Sequence, residues 1–147
     1  MSNITVLIVE DDILYASKLE IALQELGYEV KCIARNLQDA ITCFFSAMPD
    51  IVIIDISLEE KFDGIRFAER IINDQKSLRP FIYLTSSEDK ETFLKAKATQ
   101  PSAFLLKPFE KRSLEYSIEL AIEKFTHELG VANDLNISGF IKENIFI

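Results

Sequence analysis

The residues able to do chemistry are few and far apart in the chain. They are Glu10, Asp11 and Asp12 in "LIVEDD", Asp55 in "IVIIDISL", Thr85 in "YLTSS" and Lys107 in "FLLKPF". Carboxylates roughly 4 Å apart repel by about 4 kcal/mol at an effective dielectric near 20, so the acidic cluster needs a cation. Oxygen-only ligands with room for water suit Mg2+. A divalent metal beside a carboxylate, a hydroxyl and a lysine is equipment for phosphoryl transfer. Asp55 can then be the nucleophile and form an acyl phosphate. The metal and Lys107 would neutralise the phosphoryl oxygens, with Thr85 hydrogen-bonding one of them. Taken singly, each residue has a plainer reading. Carboxylates favour a helix N-terminus, Thr85 could cap a helix, Asp55 could sit in a turn, and Lys107 could snorkel to water. The question is whether the fold gathers them.

The elements say that it does. Ile4–Val9 (ITVLIV), Ile51–Ile54 (IVII), Pro80–Leu84 and Ala103–Leu106 are short continuous apolar runs, the pattern of strands buried on both faces. Tyr28–Ala34 alternates, as a strand near a sheet edge does. Between them lie helical spacings over Asp11–Leu26 (closed by Gly27), Leu37–Ala47, Gly64–Ile72, Lys90–Ala98 and Ser113–Leu129. Strand and helix alternate five times, which predicts an α/β doubly wound parallel sheet with helices on both faces. In such a sheet the site lies outside the carboxyl ends of the strands. Four of the five strands end there in polar groups: Glu10–Asp12, Asp55, Thr85–Ser87 and Lys107–Pro108. The second ends in Ala34–Arg35–Asn36, which carries no such cluster. Lys107 at the end of a buried strand is costly unless something negative meets it.

Composition excludes several classes. The 147 residues suggest one domain, or one domain and a tail, with 48% hydrophobic residues to build a core. A formal net charge of −8 argues against direct nucleic-acid binding by this segment. No apolar run is long enough for a membrane span. The opening "MSNITVLIVEDD" turns acidic by residue 10 and is not expected to be a secretory leader. Cys32 and Cys43 lack metal spacing and are read as buried free thiols of a reducing, cytoplasmic protein rather than a disulfide. His127, the one histidine, is expected on the surface of the last helix. Gly-rich phosphate loops of the GxGxxG or GxxxxGK kind are absent, which disfavours nucleotide binding.

The five motifs, with "DG" at 63–64, resemble the receiver domain of two-component response regulators in order and separation across about residues 3–128. That resemblance implies a flavodoxin-like sheet in the order 2-1-3-4-5. It implies that Asp55 is the phosphoacceptor, charged by a sensor histidine kinase or histidine phosphotransfer protein. Glu10 and Asp11 resemble the acidic pair that holds Mg2+, with Asp11 the direct ligand, joined by Asp55 and the Ser57 backbone carbonyl. Thr85 and Phe104 occupy the switch positions; Phe104 lacks a hydroxyl, so any switching there works through packing. The Lys107–Pro108 bond is expected to be cis, which costs any other residue far more. The family also implies a homodimer through the face of the fourth helix, fifth strand and fifth helix. The loop "SLEEKFDG" departs from the family pattern, having no proline and one residue more, which leaves the backbone at Ser57 open. Ser57 and Ser87 stand where the family tunes phosphate loss.

Residues 1–129 are thus read as the receiver and 130–147 as an extension or linker. "ISGFIKENIFI" resembles the lead-in to a LytTR-type DNA-binding domain, which would make the chain part of a transcription regulator; the other reading is a stand-alone receiver. The chain is expected to act as a switch rather than a metabolic enzyme. A Mg-dependent aspartyl phosphatase would use a D-x-D pattern after the first strand, and the contiguous Glu10–Asp11–Asp12 does not supply one. A receiver-like module that binds without being phosphorylated is the remaining alternative.

Overall fold

Strand and helix alternate from β1 (Thr5–Val9) through α1 (Ile13–Glu25), β2 (Glu29–Ala34), α2 (Leu37–Ala47), β3 (Ile51–Ile54), α3 (Asp63–Ile72), β4 (Phe81–Thr85), α4 (Lys90–Lys97) and β5 (Ala103–Leu106) to α5 (Lys111–Ala132). This is a computed structural model, and it describes residues 3–132. The strands pair in parallel in the order β2-β1-β3-β4-β5, as the sequence pattern and the resemblance led us to expect. The strand-like tail lies outside the described residues. The last helix, expected to end at Leu129, runs on through Gly130 to Ala132. A single glycine costs a helix only about 1 kcal/mol, too little to enforce a stop.

The parity of the strands divides the core in two. Val6 and Ile8 of β1, Ile51 and Ile53 of β3, and Ile82 and Leu84 of β4 meet Leu19 and Leu23 of α1 and Leu114 and Ile118 of α5. Leu7, Val9, Val52, Ile54, Phe81 and Tyr83 point the other way, onto Phe44 of α2, Phe67 and Ile71 of α3, and Ala96 of α4. Both faces are therefore covered, which is why these strands are apolar throughout. Phe44 and Phe67 are fully buried and meet edge to face, with centroids 6.0 Å apart. Truncating such a ring to alanine costs about 3–5 kcal/mol.

Caps fix the helix starts. The side chains of Asp12, Asn36 and Asp89 accept from the backbone N–H groups of Tyr15, Asp39 and Thr92. Asp12 is thus the cap of α1, which begins two residues later than the periodicity suggested. Gly27, at φ 94°, closes that helix as expected. A short 3-10 turn at Gln75–Ser77, which no sequence signal announced, precedes β4.

One expectation fails. Cys32 of β2 and Cys43 of α2 are not free thiols; they form a disulfide, with Cα atoms 6.4 Å apart. The cause is a bulge in β2. Val6 pairs with Val30, but Leu7 pairs with Cys32, so Lys31 is skipped. The skip reverses the strand's parity. Val30 packs on the α1–α5 side, whereas Cys32 turns to the α2 side, where Cys43 also packs. Both cysteines are only partly buried.

Candidate functional site

Parallel registers deliver the polar residues to one rim. Val9 pairs with Ile54, so Glu10 and Asp55 emerge side by side from adjacent strands. Leu106 pairs with Thr85, and the Lys107 N–H donates to the Thr85 carbonyl at 2.9 Å. The Asp55 N–H donates to the Val9 carbonyl at 2.9 Å. The residues separated by most of the chain thus meet within a few ångströms.

Lys107 Nζ donates to Glu10 Oε1 at 2.6 Å and to Asp55 Oδ2 at 3.1 Å. Glu10 and Asp55 are 3% and 8% exposed, so these are desolvated, charge-assisted contacts. The Asp12 N–H donates to the other Glu10 oxygen, Oε2, at 3.1 Å. Carboxylate oxygens of Glu10, Asp11 and Asp55 all lie within 4.8 Å of one another. Lys107 pairs with two of these carboxylates and Asp11 stands beside them, so the three together offer an all-oxygen donor set. That is the chemistry a hard divalent cation fits.

Burial pushes the Glu10 carboxyl up to about 7, although the hydrogen bonds from Lys107 and Asp12 pull it down. Burial also works against the Lys107 ammonium. Its hydrogen bonds and the charges of Glu10 and Asp55 outweigh that, and its pKa stands above the usual lysine value. The lysine is therefore firmly cationic at neutral pH.

The bond between Lys107 and Pro108 is cis, as expected. Thr85 is 1% exposed, and its Oγ1 accepts from the Ser87 N–H at 3.3 Å. Phe104 is partly buried and links core to surface: its ring lies 6.2 Å from that of Tyr83 and 5.2 Å from that of Phe93. Phe93 itself is 42% exposed. Ser57 lies in the loop after Asp55, its Oγ donating to the Lys61 carbonyl at 2.9 Å. The Leu58 N–H donates to the Glu60 carbonyl, the Glu60 N–H to Asp63 Oδ2, and the Gly64 N–H to the Ile56 carbonyl. The loop therefore replaces the missing proline with its own hydrogen bonds. A Cβ on Gly64 would overlap the Asp55 carbonyl oxygen and come within 2.7 Å of Ile56 Cα, so "DG" is a packing requirement. His127 is exposed on α5, as expected.

Two residues of the site carried no motif. Arg35, at the end of the strand read as lacking chemistry, reaches the Asp11 carbonyl at 3.4 Å. Tyr15 of α1 places its ring centroid 4.3 Å from Lys107 Nζ, and its hydroxyl accepts from the Phe109 N–H at 3.1 Å. The signal for Tyr15 was faint: a polar aromatic one turn into a helix that opens at an acidic cluster.

Comparison with known proteins agrees with this arrangement. Residues 6–119 match the family model of the response regulator receiver domain. The transcriptional regulatory protein PdtaR of Mycobacterium tuberculosis is 34% identical over 120 residues, covering 82% of this chain and 57% of that protein. The probable transcriptional regulator ycf27 of Guillardia theta is 31% identical over 139 residues, covering 95% and 53%. The chain thus spans about half the length of these curated relatives. Among solved structures, the signal receiver domain of a modulated diguanylate cyclase from Desulfovibrio desulfuricans G20 is 40% identical, with TM-score 0.80 over 86% of this chain and 99% of that one. A response regulator described as putative, from Chloroflexus aurantiacus, is 28% identical, with TM-score 0.73 over 83% and 99%. No described helix is long and apolar enough to cross a membrane.

Proposed function

The chain belongs to the response regulator receiver family, and from that premise we propose that it is a phosphoacceptor switch in which Asp55 takes a phosphoryl group from a sensor histidine kinase or histidine phosphotransfer protein. The observation that carries this reading is the joint contact of Lys107 with Asp55 and Glu10, two carboxylates brought together from 97 and 52 residues away.

In the proposed step an Asp55 carboxylate oxygen attacks the donor phosphorus. An O–P bond forms, the bond from phosphorus to the donor's imidazole nitrogen breaks, and the departing imidazole takes a proton. Lys107 is charged and already beside the nucleophile, so it can stabilise negative charge on the phosphoryl oxygens without reorganising. Thr85 offers a hydroxyl at the same rim, and Phe104 a ring whose packing can follow it. Asp11, Asp55, Glu10 and the Ser57 carbonyl would hold Mg2+. Both Glu10 oxygens are engaged by Lys107 and Asp12, which favours Asp11 as the direct ligand. Bound there, the cation would neutralise the transferring group and bring it against Asp55.

The charge added at Asp55 would be read on the face made by α4, β5 and α5, where Phe93, Leu94, Leu106, Tyr116 and Leu120 are exposed. A homodimer through that face and a role in transcription control belong to the same proposal; a cytoplasmic setting is proposed on the family alone, since the Cys32–Cys43 disulfide removes the argument from free thiols. So does a catalytic role confined to the chain's own phosphorylation and dephosphorylation.

Incubation with phosphoramidate and Mg2+, followed by intact mass spectrometry, tests the core of it. We expect one labelled site, lost in Asp55→Asn. Full labelling of that variant removes Asp55 from its role, and continuous release of phosphate without accumulated label indicates a phosphatase instead.

A further inference from the structure

Tyr15 stands in the site without belonging to the motifs that define it. Its ring backs the Lys107 ammonium at 4.3 Å, on a side chain whose other contacts are the carboxylates of Glu10 and Asp55. Its hydroxyl accepts from the N–H of Phe109 at 3.1 Å. The Phe109 ring meets it edge-on, with centroids 5.9 Å apart and planes at 81°. Pro108 has no N–H, so Phe109 supplies the first backbone donor after Lys107. The segment 107–109 is therefore tied at both ends, by the Thr85 carbonyl at Lys107 and by the Tyr15 hydroxyl at Phe109.

We propose that Tyr15 is a positioning residue for Lys107: its ring holds the ammonium toward Asp55 while its hydroxyl fixes the backbone that carries the lysine. Lysine has a long flexible stem and a point charge, so its direction must come from its surroundings. The face of an aromatic ring attracts the ammonium. Unlike a third carboxylate, it adds no negative charge where a phosphoryl group must arrive. Burial raises the Tyr15 phenol above its usual value, so the hydroxyl stays neutral. A leucine would fill similar space with neither the attraction nor the acceptor.

The kinetic part of this inference rests on the phosphoacceptor reading; the spectroscopic part does not. In the full chain, the Lys107 ε-methylene resonance, assigned by its loss in Lys107→Arg, is expected upfield of the exposed lysines because of the Tyr15 ring current. It stays upfield in Tyr15→Phe and returns to the ordinary position in Tyr15→Leu. Labelling by phosphoramidate and Mg2+ slows roughly three- to thirtyfold in Tyr15→Leu, and Tyr15→Phe restores most of the rate. An unshifted resonance in the wild type, or wild-type labelling by Tyr15→Leu, overturns the proposal. Should Tyr15→Leu not fold, Tyr15→Phe decides. Its Phe109 amide must exchange faster while the Lys107 signal stays upfield, and an unchanged amide overturns the proposal. Undiminished labelling of Asp55→Asn sinks the phosphoacceptor reading while leaving the resonance test standing.

Discussion

Glu10 is where burial and charge pairing pull in opposite directions. The short contact with Lys107 favours its ionised form, yet burial prevails and raises the carboxyl from 4.5 to about 7. Ionising it therefore costs more in the folded than in the unfolded chain. Its contribution to stability is whole below about 4.5 and is lost as pH rises through about 7. Asp50, also raised by burial, acts in the same direction. Without metal, we expect the urea midpoint to fall between pH 5 and pH 7.5. Glu10→Gln should flatten part of that slope, and an equal slope in the variant would place the effect elsewhere. Metal acts on the same residues from outside. A cation bound only by the folded state adds about 2.7 kcal/mol at a hundredfold excess over its Kd. Mg2+ should thus raise the thermal midpoint of the wild type, and Asp11→Asn should abolish the rise; calorimetric scans with and without EDTA would check both. The meeting of the acidic residues, Asp55, Thr85 and Lys107 at one rim was legible because each follows an apolar run, but the run before Lys107, expected to be buried on both faces, is the edge strand β5, only partly buried and with Leu106 exposed. Tyr15 and Arg35 were not legible, because their roles come from contacts 94 and 24 residues away that no spacing records.

Helices and strands announce themselves when one periodicity dominates. β3 and β5 fall where the apolar runs put them, and α2 spans the expected residues. Where two signals compete, the sequence misleads. In β2 the alternation is interrupted at Lys31, so its facing could not be followed past the bulge, and with it went the pairing of Cys32 and Cys43. The end of α5 escaped for another reason: the apolar spacing stops at Leu129, whereas the helical backbone continues to Ala132. The loop from Ser57 to Phe62 lacked the proline of its family, yet hydrogen bonds and the Asp63–Arg66 ion pair at 3.0 Å hold it at the mouth of α3. That helix start is the tightest fit in the site. Gly64 donates to the Ile56 carbonyl at 2.7 Å, and there is no room for a Cβ against the Asp55 backbone. Gly64→Ala should therefore cost about 1–3 kcal/mol by overpacking, and it should slow labelling because Asp55 itself must move. Urea unfolding checks the first effect and phosphoramidate labelling the second. A variant as stable and as fast as the wild type would mean that the backbone yields freely.

For the whole molecule the question is how charge at one rim reaches a partner. The central strands are covered by helices on both faces, so the proposed readout lies on the flank beside β5. There Phe93 and Leu94 of α4 are 42% and 50% exposed, and Leu106, the residue before Lys107, is 44% exposed. Phe104 joins this flank to Tyr83 of the core. In the proposed homodimer two chains of net charge −8 would repel each other, and phosphorylation would add further negative charge, so an apolar contact would have to outweigh that repulsion. Association of the labelled form should consequently strengthen as salt rises from low to physiological concentration. Leu94→Glu should abolish it while leaving labelling of Asp55 intact, because Leu94 is half exposed and takes no part in the contacts that join Glu10, Asp55 and Lys107. Lys107→Ala should act at the other end of the chain of events. It should retain Mg2+ binding but separate phosphorylation from association, since the group linking Asp55 to β5 is gone. Sedimentation velocity of each variant, labelled and unlabelled, reads both outcomes. If labelled Lys107→Ala dimerises as the wild type does, the signal bypasses Lys107, and Thr85 with the start of α4 becomes the route to examine.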